Sequence, residues 1–280
     1  MAAVDADHPP SRLLTAIALL ASLFPWSAAN AAQASADDLA KQLNNPVSSL
    51  ISLPLQLNAD FGSGEGDGER LSLNVQPVIP KSISERWNLV TRVIVPVIYQ
   101  SDVAPRSDQL GLGDTTPTFF FSPKAPAWGR LVWAAGPVFH LPTATDELFG
   151  TEKWGAGPSI LALEQTGSGY TYGALANHIW SVAGDEQRDE MSLTFLQPFL
   201  AKQFGGGRSL TLNLESTYDW KGRHWTVPFN VTFSKVTHIG EQRLSFAGGA
   251  RAYLAKPEGG PEWGLRVVTT LLFPGERGPR

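Results

Sequence analysis

Hydrolytic chemistry needs an imidazole within reach of a nucleophile, and a third group to orient it. His140, His178, His224 and His238 are the histidines outside the N-terminal leader described below. His178 shares an alternating row with Tyr172 and Trp180, whereas Asn177 points the other way, and His224 and His238 fall at connections. No serine stands out near any of them, so the chain is read as a non-enzyme without catalytic residues. The string Gly111-Leu112-Gly113-Asp114 has the outline of a phosphate loop but lacks the following Gly-Lys and the strand-to-helix context, and reads as a turn leading into a strand. Glu65, Asp67 and Glu69 alternate with Gly64, Gly66 and Gly68 as in a loose calcium loop, yet the remaining ligand spacing is missing, which leaves a solvated loop. The chain has no cysteine, which excludes disulfides, thiolate catalysis and Cys-ligated metals. No metal or cofactor is expected.

The more informative polar residues lie inside segments of alternating character. Arg92, Asn177, Glu215, Asp219, Arg251 and Arg266 all stand opposite apolar rows. If the apolar rows face lipid, these six line a lumen, where they either meet a solute or pair with one another across a narrow barrel.

The elements that would position them are strands. From Ser48 onward the pattern has period two: Ile51, Leu53, Leu55, Leu57 and Ala59 alternate with Ser52, Pro54, Gln56, Asn58 and Asp60. Near the other end, Leu210, Leu212 and Leu214 oppose Thr211, Asn213 and Glu215. Twelve such segments are centred near Pro54, Val75, Val93, Pro117, Gly136, Ile160, Leu175, Gln197, Leu212, Phe229, Gly248 and Val267. Around Pro117, Ile160, Leu175 and Gln197 the alternation is broken by runs such as Phe119-Phe120-Phe121. Eight prolines (54, 77, 96, 117, 137, 158, 198 and 228) fall inside the segments; since proline cannot donate to a ladder, bulges are expected at several.

A soluble sandwich would show the same alternation, so other features decide. The segments run to about 11 to 13 residues, against about 5 to 6 in globular sheets and about 9 to 11 for a tilted membrane strand. Aromatics mark their ends: Trp87 and Tyr99, Trp220 and Trp225, Trp263 and Phe273, as two interfacial girdles require. One set of connections, 62–69, 100–109, 143–152, 183–190, 221–224 and 255–261, holds most of the acids and reads as the outer loops. Ser35 to Leu43, with Ser35 as N-cap and Asp38 three residues on, reads as a short helix that could plug the lumen.

Composition agrees. Charged residues are only 17% of the chain, mean hydropathy is -0.09, and no apolar run reaches the roughly 20 residues of a membrane helix. The net charge of -4 offers no basic stripe for nucleic acid. Leu13 to Phe24, with Arg12 before it and Ala29-Asn30-Ala31 after it, has the form of a signal peptide cleaved after Ala31, although Asp5, Asp7, Pro9 and Pro10 stand where a basic n-region is usual.

Several strings carry a resemblance: Leu39-Ala40-Lys41-Gln42-Leu43-Asn44-Asn45-Pro46-Val47, Leu73-Asn74-Val75-Gln76-Pro77-Val78-Ile79-Pro80, Phe121-Ser122-Pro123-Lys124, Trp154-Gly155-Ala156-Gly157-Pro158, Ser216-Thr217-Tyr218-Asp219-Trp220 and Leu271-Leu272-Phe273-Pro274. With them, nearly all of the chain beyond the leader resembles the outer-membrane transporter family linked to meta-pathway phenol degradation. The resemblance implies an outer-membrane barrel acting as a channel for small or aromatic compounds, and it assigns no site residues. One departure is that Pro274 to Arg280 follow Phe273, where such chains usually end on an aromatic.

The expectation is an all-β, antiparallel up-and-down transmembrane barrel of about 12 strands in the cell outer membrane of a Gram-negative bacterium. Its parts would be a signal peptide (1–31), a periplasmic or plug helix segment (32–47), the barrel (48–273) and a tail (274–280). Expected partners are outer-membrane lipid, the barrel-assembly machinery and a small-molecule solute, with no nucleic acid. The function read first is a passive channel. The alternatives are a filled structural barrel whose acidic loops bind cations or a partner and, less favoured, a barrel-embedded hydrolase acting through His178.

Overall fold

The computed structural model describes residues 35–64, 67–103 and 108–273. The signal-peptide segment and the C-terminal tail lie outside the described residues. Fifteen hydrogen-bonded runs form the wall: β1 (Ile51–Ser63), β2 (Gly68–Val75), β3 (Val78–Ser82), β4 (Trp87–Ser101), β5 (Gln109–Leu112), β6 (Thr116–Pro123), β7 (Leu131–His140), β8 (Lys153–Gln165), β9 (Tyr170–Gly184), β10 (Ser192–Gly205), β11 (Arg208–Leu214), β12 (Ser216–Asp219), β13 (His224–Ile239), β14 (Gln242–Ala255) and β15 (Trp263–Phe273).

Three pairs of runs are single strands with a local break. β2 and β3 share the partners β1 and β4, β5 and β6 both pair with β4, and β11 and β12 both lie between β10 and β13. The wall therefore has twelve antiparallel strands, each beside its neighbour in sequence. It closes where β1 meets β15 over eleven paired positions, from Ile51↔Phe273 to Phe61↔Trp263. Closure leaves no strand edge, which is the condition for a sheet to lie in lipid.

The twelve segments read from the sequence coincide with these strands. Two prolines sit at irregularities, Pro77 at the β2/β3 break and Pro228 at a register shift in β13. Pro54, Pro96, Pro117 and Pro198 keep their register, and Pro137 faces Pro158 across β7 and β8.

Alternation fixes the faces. Along β1 Ser52, Asn58, Asp60 and Ser63 are buried, so the polar row points inward while Leu57 is exposed outside. β15 repeats this, with Arg266 and Thr270 buried and Leu265 and Val267 exposed. Around the outer face, aromatics gather at two levels. Trp154, Trp180, Trp220, Trp225 and Trp263 lie exposed at the end away from the termini, and Trp87, Tyr170, Phe204 and Phe246 at the other. Such a band has the form of an interfacial girdle around an apolar belt.

Ser35 caps helix α1 (Ala36–Leu43), its Oγ accepting from the Asp38 amide. The apolar side of α1 buries Leu39 and Ala40 against Leu50, Val236 and Leu272. Val236 and Leu272 are inward residues of their strands, so the helix lies inside the barrel at the end near the chain termini.

Candidate lumen site

Around the ring, β4 and the β11/β12 strand are six positions apart and hence face each other. The five strands on one side (β13, β14, β15, β1 and β2/β3) carry a polar inner wall. Arg266 of β15 reaches Glu215 between β11 and β12 with two parallel bonds, Nη1 to Oε1 at 2.7 Å and Nη2 to Oε2 at 2.8 Å, and its Nε donates to Asn58 Oδ1 at 2.7 Å. Arg251 of β14 donates from Nη1 to Asp60 Oδ2 at 3.1 Å and stands 3.9 Å from Glu215 through Nη2. This bond crosses β15 at Gly264, the register partner of both Arg251 and Asp60. A Cβ at Gly264 would stand 2.4 Å from Asp60 Oδ1, so only glycine leaves the passage open. On β4, Arg92 donates to Gln76 Oε1 at 2.8 Å and lies within electrostatic reach of Glu215 from the facing wall.

The other five strands (β5/β6 to β10) present an apolar inner wall. Phe120, Leu161, Leu163 and Leu175 are buried there with Val90, Ala134 and Val47, and Phe195 and Phe199 pack on them. The rule that apolar rows face lipid and polar rows the lumen thus holds on one side of the ring and fails on the other. The broken alternation around Pro117, Ile160, Leu175 and Gln197 has the same cause: on these strands both faces are largely apolar, one toward the outside and one toward the lumen.

Of the six lumen candidates, Arg92, Glu215, Arg251 and Arg266 come together. Asn177 points inward, but from β9 on the apolar side. Asp219 is at the rim, where its Oδ1 accepts from the Lys221 and Gly222 amides and caps the 220–223 turn. Asp60, Asn58 and Gln76 belong to the cluster although they were not singled out beforehand; the polar row of β1 already carried the first two.

The end away from the termini is narrowed by the 141–152 connection, which folds inward. Thr145 exchanges bonds with Leu112, and Phe149 is buried against Gly111 and Gly113. Asp114 accepts from the Ala144 and Thr151 amides and pairs with His140 Nε2 at 2.9 Å. The string that resembled a phosphate loop is thus the end of β5 and the start of the break before β6, and its carboxylate holds a loop. Among the described residues no three His, Asp or Glu side chains stand close enough to hold a metal ion.

Outside, His178 corrects the reading that no serine is near a histidine. Its Nδ1 is 2.7 Å from Thr194 Oγ1 and its Nε2 is 3.3 Å from Ser192 Oγ, both on the neighbouring strand β10, while Trp220 Nε1 donates to Thr194. Cross-strand neighbours distant in sequence carry no signal in a single chain. Among the described residues no carboxylate bonds to His178, so the set lacks the charged orienter that a hydrolytic triad uses.

The chain is similar to an outer membrane channel from Pseudomonas putida, with 16% identity and a TM-score of 0.63 over 80% of this chain and 96% of that one. Lesser likeness is found to outer membrane phospholipase A from Escherichia coli, at 8% identity and a TM-score of 0.49 over 80% of this chain and 98% of that one. The calcium-bound phospholipase dimer from Salmonella typhi gives 9% and 0.47 over 86% and 98%. No protein-family model and no curated protein matches the chain. At such identities the first likeness shows the fold, which is that of an outer-membrane barrel.

Proposed function

We propose that the protein is a passive outer-membrane channel for small solutes, aromatic compounds among them, and that helix α1 closes it at the periplasmic end. The observation that carries this reading is that a separate element lies in the lumen in addition to the wall side chains. α1 is eight residues long and rests on one apolar face. Few polar bonds hold it: Gln165 Nε2 donates to Lys41 O at 2.8 Å, Gln203 Nε2 to Asp37 O at 3.5 Å, and the Gly207 amide to Asp37 Oδ1 at 2.7 Å. An isolated helix of this length is marginal, so its place depends on those contacts, and losing them would release it. The family resemblance and the aromatic side chains of the apolar inner wall both favour aromatic solutes.

Reconstitution of the purified protein in a planar bilayer tests the proposal. Stepwise conductance is expected, together with flux of a small aromatic solute into vesicles. A folded barrel that gives neither, with and without α1, is a filled structural barrel instead.

A further inference from the structure

The polar wall is not electrically balanced. Four arginines, Arg70, Arg92, Arg251 and Arg266, face two carboxylates, Asp60 and Glu215, so two positive charges are in excess at this level of the lumen. Among the described residues, the other charged groups at inward positions lie toward the two ends: Lys153 with Glu190, His140 with Asp114 and Asp219 in its turn at one end, Asp37 of α1 with Gly207 and Arg243 beside Leu272 at the other. Within the cluster, each of the three Arg266 nitrogens has a partner, but Arg92 hydrogen-bonds only the neutral Gln76, with Glu215 within electrostatic reach, and the buried Nε of Arg251 has no partner. An excess of guanidinium charge in an enclosed space is costly unless an anion joins it.

Position adds a second requirement. β4 is the boundary between the two walls, and Val90, two residues from Arg92 on the same inward row, already belongs to the apolar cluster. On the facing boundary Phe195 and Phe199 of β10 flank Gln197, which extends the register to stand beside Glu215. A ligand that satisfies Arg92 therefore has an aromatic and aliphatic surface against its other side.

We propose that the lumen holds a binding site for an organic carboxylate with an apolar body, the carboxylate taken by Arg92 and Arg251 and the body by the Phe195 and Phe199 side. Guanidinium groups match carboxylates through parallel N–H···O bonds, and these strengthen where water is sparse. This rests on the channel reading for its purpose, but the site can be measured without any conductance.

The test uses the purified full-length barrel in detergent, with binding followed by calorimetry. Benzoate is expected to bind saturably, and more tightly than benzyl alcohol, which lacks the charge, or acetate, which lacks the ring. Arg92→Gln should weaken benzoate about tenfold, the scale of one lost charge-assisted bond, while Arg92→Lys restores most of it and Lys81→Gln, on the outside of the wall near the periplasmic end, leaves it unchanged. If Arg92→Gln does not yield a heat-modifiable barrel, Arg70→Gln takes its place with the same expected direction. Benzoate binding no tighter than benzyl alcohol, or indifferent to the arginine, overturns the site. A barrel that binds benzoate but never conducts overturns the channel reading and leaves the site standing.

Discussion

Arg266 and Glu215 form a bidentate pair at 2.7 and 2.8 Å although their strands are three apart around the ring, so the pair spans the lumen above β13 and β14. The same carboxylate lies 3.9 Å from Arg251. Glu215→Gln removes the charge that balances both arginines and leaves them desolvated. A loss of about 3 to 5 kcal/mol is expected, the usual cost of breaking a buried pair from one side. Urea unfolding in lipid vesicles measures it. The double variant Glu215→Gln with Arg266→Met should recover part of the loss; a double variant as damaged as the single one would mean that the pair is not the source.

Gly264 makes a second, steric prediction. The Arg251 to Asp60 bond of 3.1 Å runs over this residue, and an added Cβ would stand 2.4 Å from Asp60 Oδ1 and 2.6 Å from the Ala59 carbonyl. Gly264→Ala should therefore cost about 1 to 3 kcal/mol through forced overpacking. Gly248→Ala one strand away, where the added methyl meets nothing within 4 Å, should be near neutral. Equal midpoints for the two variants in the same unfolding assay would refute the crossing.

How far the sequence could be read follows from these residues. Period-two alternation depends only on neighbours along the chain, so β1, β11, β13 and β15 were visible, as was the inward face of Arg251 and Arg266. The partners of those arginines were not, because Asp60 and Glu215 arrive from strands far away in sequence. The apolar half of the lumen was hidden for a different reason. Leu161, Leu163 and Leu175 look inward while Ile160 and Ala176 look out, so both faces read alike and only a closed ring tells lumen from lipid. Ser192 and Thr194 met His178 through the β9 to β10 register, which no local pattern records.

Face assignment is open to direct test on β11. Leu212 pairs with Val231 and Leu200, both exposed outside, whereas Asn213 looks into the lumen opposite Asn230. Leu212→Arg should lose about 2 to 4 kcal/mol if it lies near the membrane midplane, and Asn213→Arg much less. Similar losses at the two neighbours would reverse or erase the inside and outside assigned to this strand.

The 185–191 connection is tied down by Glu190. Its carboxylate accepts from the Ser181 hydroxyl and from Lys153 Nζ at 3.1 Å, and these two donors hold the carboxyl below the usual glutamate range. Because the folded-state value is depressed, the contribution is complete above the ordinary glutamate value and fades as pH falls through the lowered one. The loop should thus stay resistant to an acid-active protease at mildly acidic pH and become cleavable only on further acidification. Glu190→Gln, which cannot ionise, should show no such pH step. A wild-type profile identical to that of the variant would remove Glu190 as the tie.

Helix α1 gives the prediction with the clearest functional readout. It fills the end of the barrel near the termini through Leu39 and Ala40, and Val47 just after it reaches the apolar wall at Phe120 and Leu161. Deleting Ala36–Leu43 removes the first contact set but none of the β1 to β15 pairing that closes the ring, so the barrel should still fold and show heat-modifiable migration. If the helix is the obstruction, single-channel conductance should rise several-fold on deletion. Replacing Leu39 by Asp, which puts an unpaired charge at a fully buried position, should produce the same rise intermittently as the helix leaves and returns. Val47 keeps its place in both variants, so any remaining barrier belongs to the wall itself. A deletion barrel with the conductance of the wild type would assign the constriction to the Arg266, Glu215 and Arg251 cluster and not to the helix.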